Sequence, residues 1–273
     1  MVVGDLGDES ALAGGIVGAD IVVHLAGTIR GSRPQDFLPV NHVATRVLAK
    51  AVACRAPSAF VVHVSSLAAA GPSVDGKDTD AAPERCRPVS AYGESKRLGE
   101  LAMRECVRRV AVIRPPMVYG PRDSATRLLF RSALAPLCLA PPWPRPMSVV
   151  HVRDAVAAIL AVAIAQPDGA TLPLDGPERT DMHSLLRAFA GACGRRARVV
   201  PVPLALAGAA AWAADAYSRL SGRLLHFNRD KVRELGASGW VADGEPLRRL
   251  GHAARVRLRD GLLEVAAAEG FLR

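Results

Sequence analysis

Tyr92 and Lys96 stand four residues apart in the string Tyr92-Gly93-Glu94-Ser95-Lys96. On a helix, that spacing puts both side chains on one face. A phenol with its ordinary pKa near 10 is a poor base at neutral pH. A neighbouring ammonium stabilises the phenolate and lowers that value. Such a pair can pass a proton to or from a hydroxyl or carbonyl oxygen. The lysine is itself a signal, because only four of the 35 basic residues are lysine, namely Lys50, Lys77, Lys96 and Lys231. A compact ammonium with a tunable pKa is not interchangeable with a guanidinium. Alone, the Y-x-x-x-K spacing also describes an ordinary surface pair, so its surroundings carry the weight. Ser65-Ser66 follows an apolar run, where a serine could hydrogen-bond the same substrate oxygen or simply form a turn.

The elements that must hold these residues are readable from periodicity. Residues 21–26, 60–64 and 110–113 are continuous apolar runs rich in β-branched side chains, as expected of strands buried on both faces. Residues 36–55 have apolar positions at helical spacing, including Val40, Val43, Val47, Leu48 and Ala51. A second helix is expected over 91–109, with Ser90 as its N-cap. Strand, helix, strand, helix, strand indicates a parallel α/β sheet. The C-terminal strand ends of such a sheet face a ligand crevice. Beyond the proline-rich stretch 141–146, helices are expected near 153–166, 181–192, 204–220, 229–235 and 256–268. Short strands are expected near 171–174 and 197–200. This predicts a sheet domain over 1–165 and a smaller, mainly helical substrate lobe over 166–273.

Composition narrows the function classes. The 273 residues are half hydrophobic and carry a net charge of +9. The arginines are dispersed, and the one cluster, Arg195, Arg196 and Arg198, has no interleaved aromatics. That pattern argues against nucleic-acid binding. The five cysteines have no C-x-x-C pair, and the histidines have no metal-ligand spacing. No apolar run is long enough to span a bilayer. The expectation is a cytoplasmic protein acting on a small molecule, with no metal, nucleic-acid or membrane partner.

Four strings occur in order: HVSSLAAAG, SAYGESKRLGE, VIRPPMVYGPR and VVHVRDAVAAIL. Together they resemble the extended short-chain dehydrogenase/reductase family, also called NAD-dependent epimerase/dehydratase. HLAG at 24–27 and GDLGD at 4–8 resemble two further motifs of that family, at its fourth and third strands. The resemblance implies a Rossmann-like, doubly wound parallel sheet and NAD or NADP as cofactor. It implies Tyr92 as the acid/base, with Lys96 lowering its pKa and binding the nicotinamide ribose. It implies Ser66 as the catalytic serine, with Ser65 as the fallback. Asp5 and Leu6 would contact adenine, and Leu25, Ala26 and Gly27 would line the cofactor cleft. Asn41 would make a polar contact near it, and Pro115 to Val118 would pack on the nicotinamide. His151 and Asp154 match a turn whose expected role is helix capping. Subunits of many members pair through the helices corresponding to 36–55 and 91–109, so a homodimer is also implied.

The chain departs from the family pattern in two places. The family's G-x-x-G-x-x-G turn, which lets the backbone approach a pyrophosphate, has no counterpart ahead of Asp5. The expectation is an N-terminally truncated sheet lacking roughly 50–60 residues, with the strand at 21–26 left unpaired along one edge. Second, the short proline-rich segment 140–147 stands where sugar-nucleotide members carry a longer loop. A sugar nucleotide and a hydroxysteroid-like alcohol or ketone both stay open as substrates. Leu67 and Ala68 occupy the places of a dehydratase's acidic pair, which disfavours dehydration. The expected activity is hydride transfer at a secondary alcohol or ketone, used once by a dehydrogenase or twice by an epimerase. The alternatives are a non-catalytic NAD(P)-binding scaffold and an inactive fragment.

Overall fold

The computed structural model describes residues 4–31, 33–222, 225 and 227–272. In chain order the helices are α1 (Glu9–Ile16), α2 (Pro34–Leu38), α3 (Thr45–Arg55), α4 (Leu67–Ala70), α5 (Ala91–Cys106), α6 (Ser124–Leu134), α7 (Val152–Ala165), α8 (Met182–Ala192), α9 (Leu204–Ser221), α10 (Arg229–Leu235), α11 (Glu245–Arg249) and α12 (Leu258–Ala268). The strands are β1 (Ile21–His24), β2 (Phe60–Val64), β3 (Arg109–Arg114), β4 (Met117–Tyr119), β5 (Cys138–Ala140), β6 (Met147–His151), β7 (Thr171–Pro173), β8 (Arg179–Thr180) and β9 (Val199–Pro201).

The main sheet has the order β1-β2-β3-β7 and is parallel throughout. Its inner strands are buried on both faces, as their unbroken apolar runs require. One face packs on a core that includes Val61, Val110, Leu48, Val52 and Met103. The other packs on Val62, Ile113, Ala158 and Val162. Helices cover both faces, so the fold is α/β with a doubly wound parallel sheet. Among the described residues β1 is an edge strand, and Ile21 and Val23 on it stay exposed.

The sheet does not respect the expected division at 165. β7 lies beyond that point yet pairs with β3. Conversely β4 and β6, from before it, join β8 in a second, smaller sheet. A third core of Phe130, Leu185, Phe189 and Leu262 holds α6, α8 and α12 together.

Two expected elements differ in detail. The helix predicted over 36–55 is broken by a π-helical turn, Pro39–Ala44, between α2 and α3. Pro39 has no N–H to give, and widening the turn accommodates the loss. Residues 4–8 form a turn, and the strand expected to close there lies in part outside the described residues.

Candidate active site

Because the main sheet is parallel, the segments leaving β1, β2 and β3 converge at one end. Leu25-Ala26-Gly27 leaves β1, Ser65-Ser66 leaves β2 and Pro115-Pro116 leaves β3. Helix α5 lies across this end. Ser90 caps it, its hydroxyl accepting the Gly93 N–H at 2.9 Å. Tyr92 is the second residue of α5 and Lys96 follows one turn later on the same face.

The Ser66 hydroxyl caps α4 by accepting the Ala68 N–H at 3.2 Å and lies near enough to the Tyr92 phenol to act on its acidity. The buried Phe37 ring lies tilted against Tyr92, centroids 5.8 Å apart. Burial pushes the phenol up to about 12; the nearby Ser66 hydroxyl opposes the shift and the Glu234 carboxylate adds to it. Lys96 donates to the Val64 carbonyl at 2.8 Å. Burial brings its amine down to about 8, with Glu100 opposing. In this arrangement the phenol is therefore raised, where the sequence led us to expect it lowered by Lys96. Desolvation favours the neutral form of an acid and of a base alike.

Gly27 sits where a Cβ would come within 3.1 Å of the Asn41 side-chain oxygen and 3.5 Å of the Lys96 amine. Only a bare backbone fits there comfortably. Asn41, in the π-helical turn, is fully engaged. Its Nδ2 donates to the Thr28 carbonyl and to Ser95 Oγ, both at 2.9 Å, and its Oδ1 accepts the Thr28 N–H at 2.8 Å. It therefore ties the loop after β1 to α5. Beneath the crevice the buried His24 and His63 rings stack, centroids 5.2 Å apart. Burial and Lys96 bring His24 down to about 4.

Ser65 points away from the phenol. Its hydroxyl donates to the buried Glu100 at 2.5 Å. Arg114, at the end of β3 and fully buried, grips the same carboxylate with two bonds of 3.0 and 2.6 Å. Its third nitrogen donates to the carbonyls of Thr79 and Ala81 at 2.9 and 2.8 Å. Strand end, helix α5 and the loop around Thr79 are thus pinned to one ion pair, one turn below Lys96.

A second clamp comes from far along the chain. The Asp230 carboxylate of α10 accepts the N–H groups of Ala91 and Tyr92 at 2.7 and 3.1 Å. These are unpaired donors of the first turn of α5. Ser90 Oγ donates to Glu234 at 2.8 Å, and Asn228 Nδ2 donates to the Gly31 carbonyl at 2.7 Å. The sequence reading assigned no role to Glu100, Arg114, Asn228, Asp230 or Glu234.

A match to the NAD dependent epimerase/dehydratase family spans residues 1–171. The chain belongs to that family. Over 255 residues it is 31% identical to the ceramide reductase of Caulobacter vibrioides (strain NA1000 / CB15N), covering 90% of this chain and 73% of that protein. Among solved structures it is similar to MoeE5 in complex with UDP-glucose and NAD, with a TM-score of 0.75, 22% identity, and 98% and 84% of the two chains covered. It is also similar to a UDP-glucuronic acid 4-epimerase from Bacillus cereus bound to NAD and a fluorinated UDP-glucuronic acid, with a TM-score of 0.74, 17% identity, and 97% and 79% covered. At those identities the two structures establish the fold alone.

Against the roles the family resemblance implied, the remaining residues fall as follows. Exposed Leu25 and Gly27 and half-buried Ala26 follow β1 at the strand ends. Pro115 lies under α4, its carbonyl accepting the Leu67 N–H at 2.8 Å. Val118 pairs with Val150 in the second sheet and packs on the core beside Ala155. Asp5 accepts the Gly7 N–H at 2.7 Å, and Leu6 packs on the Leu48 core, so both have local structural contacts. His151 caps α7, as expected, by accepting the Arg153 N–H at 3.3 Å. Asp154 instead takes the N–H groups of Arg255 and Val256, fastening the C-terminal segment. A cavity of about 560 Å³ among residues 70–87 does not include Ser66, Tyr92 or Lys96 and is not part of this site. Among the described residues no group of His, Cys, Asp and Glu could hold a metal ion.

Proposed function

We propose that this protein reduces a ketone on a ceramide-like long-chain lipid, with NADH or NADPH as the hydride source. The observation that carries the reading is Tyr92 and Lys96 one turn apart on α5 at the strand ends, with the Lys96 amine on the Val64 carbonyl, in a chain 31% identical to a ceramide reductase. The bare backbone at Gly27, against Lys96, fits the close approach of a flat ring or ribose. A nicotinamide bound there supplies the hydride.

The chain's own residues handle the oxygen. Ser66 and Tyr92 hydrogen-bond the carbonyl and polarise it. As the carbon takes the hydride, the oxygen takes the Tyr92 proton, giving the alcohol. A phenol held near 12 is protonated throughout the physiological range, which suits it to donate. Lys96 supplies positive charge against the phenolate that results, so that its expected effect on Tyr92 appears once the charge forms. Asp5 and Leu6 stay assigned to the adenine end, and Pro115 and Val118 to the nicotinamide face. The short proline-rich segment 141–146 and the apolar α9 favour a lipid over a sugar nucleotide.

The test is oxidation of NADPH and of NADH with the keto form of a ceramide, with UDP-glucose as the comparator. Turnover of the lipid ketone, and loss of at least about a hundredfold in kcat for Tyr92→Phe, is expected. Equal rates in Tyr92→Phe would remove Tyr92 from the chemistry. Turnover of UDP-glucose alone would replace the substrate class.

A further inference from the structure

Helix α9 is supported on one side only. That side buries Ala211 and Asp215, and Asp215 is held by Arg229 of α10 at 2.8 Å. The opposite face repeats in steps of four and three through Leu206, Ala210, Ala213, Tyr217 and Leu220. Of these, Leu206, Tyr217 and Leu220 are 63%, 51% and 91% exposed, and Trp212 on the flank is 60% exposed. A surface helix ordinarily turns polar residues outward on that face. Leading into α9, the exposed Val200 of β9 lies in register with the exposed Leu139 of β5. Exposed Trp143 follows β5, with the Arg145 guanidinium 5.4 Å above its ring.

The segments around α9 carry an excess of arginine. Between Asp181 and Asp230 the sequence has seven arginines and one carboxylate, Asp215, which is buried and paired. Residues 124–153 carry four arginines and no carboxylate, and of these Arg127 and Arg153 are paired with Glu269 and Glu264 while Arg145 is not. Arg145, Arg195, Arg196, Arg198 and Arg219 are exposed. Two copies of so basic a face repel each other, whereas an anionic surface attracts it. An apolar stripe that includes a Tyr, with a Trp on its flank and arginines beside it, suits a helix lying in a bilayer interface.

We infer that α9 docks on an anionic lipid bilayer, in the plane of its surface. Leu206, Trp212, Tyr217 and Leu220 enter the boundary between headgroups and acyl chains, and the arginines meet the phosphates. Among the described residues no helix is long and apolar enough to cross a membrane, and lying on one needs no such length. The sequence reading excluded a membrane partner on spanning length alone. Docking is wired to the site: Asp215 joins α9 to Arg229 of α10, and Asp230 of α10 caps α5 at Tyr92. The inference goes beyond the reductase reading and fails separately from it, because vesicle binding is measured without substrate.

The test is flotation of the full chain with vesicles of phosphatidylcholine, with and without phosphatidylglycerol. The chain is expected to float with the anionic vesicles and to be released by salt. Leu206→Glu with Leu220→Glu is expected to weaken partitioning at least about tenfold, and Arg219→Glu about fivefold. Leu160→Glu, at an exposed apolar position on α7, is expected to bind as the unmodified chain does. In the unmodified chain, brominated lipid should quench tryptophan fluorescence, and Trp212→Tyr should remove most of that quenching. Absence of flotation, undiminished binding by the double variant, or an equal loss in Leu160→Glu would overturn the inference. So would a dimer by light scattering that the double variant breaks without any vesicle binding.

Discussion

Replacing Arg114 with methionine keeps an unbranched apolar stem and removes the guanidinium and its charge. Glu100 is then left fully buried with Ser65 as its one remaining partner in this network, and the carbonyls of Thr79 and Ala81 lose their donor. An uncompensated buried charge costs about 3–5 kcal/mol. The carboxyl has an escape, because it can take a proton. At pH 7, protonating a group with an ordinary pKa near 4.3 costs about 3.7 kcal/mol, which caps the charge penalty. The two orphaned carbonyls add about 1 kcal/mol each. Arg114→Met should therefore lose about 4–6 kcal/mol, a large part of the 5–15 kcal/mol typical of a folded domain. Because a neutral carboxyl is the form an unpaired buried site tolerates, the loss should shrink on acidification. Glu100→Leu combined with Arg114→Met removes both charges and should cost less than Arg114→Met alone. Urea denaturation of the three chains at pH 5 and pH 7 measures all of this. A single variant that loses under about 1 kcal/mol, or a double variant no better than the single, would refute the assignment of Arg114–Glu100 as the clamp below Lys96. The double variant should still turn over about tenfold more slowly, because Ser65 loses the acceptor that holds the strand end next to Ser66.

Asp230→Ala removes a buried acceptor from two N–H groups at the start of α5 and should cost about 2 kcal/mol in a urea melt. It should also lower kcat for the proposed ketone reduction more than it raises KM; an unchanged kcat in a folded variant would make this clamp purely structural. Lys96 at about 8 predicts that reduction slows above that pH as the ammonium is lost. Lys96→Arg should move this limb out of range, and a limb that stays would belong to another group. His24 is held near 4 against an ordinary 6.5, so between these values the unfolded chain binds the extra proton and stability falls as pH falls. His24 alone should contribute a loss of about 2 kcal/mol between pH 7 and pH 5. His63 titrates in the same direction, and a His24→Gln variant with an unaltered pH slope would be evidence against the assignment.

The parts of the fold that were legible are those where local pattern and tertiary role coincide. β2 and β3 are β-branched runs buried on both faces, and nothing but a central parallel strand uses such a run. Ser90, Tyr92 and Lys96 were found because a cap and an i, i+4 pair are written within one helix. β4 and β5 have only three residues each, too few for any period to show. Arg114 was passed over as the residue that ends a strand before two prolines. Its partner, Glu100, is 14 residues away and marked by nothing but burial. Asp230 reads locally as an acid in the first turn of a short helix, and its real partners lie 139 and 138 residues away. Sequence shows which residues could do chemistry; the groups that hold them still are set by tertiary contact.

The same contacts bear on the direction of the proposed reaction. Burial raises Tyr92 and lowers Lys96, so desolvation pushes both toward neutrality. An acid donating to a developing alkoxide gains from a high starting occupancy of its proton. An acid/base starting from the alcohol must first lose that proton, at a cost of about 1.4 kcal/mol for each pH unit below about 12. Glu234, bonded to Ser90 at the mouth of α5, contributes part of that cost. Removing its charge in Glu234→Gln should therefore raise kcat for alcohol oxidation relative to kcat for ketone reduction, both measured at saturation and one pH, while the ratio of the kcat/KM values stays fixed by the overall equilibrium. If both rates change by the same factor, the neutral phenol does not set the kinetic bias, and Glu234 acts only as a brace for the helix.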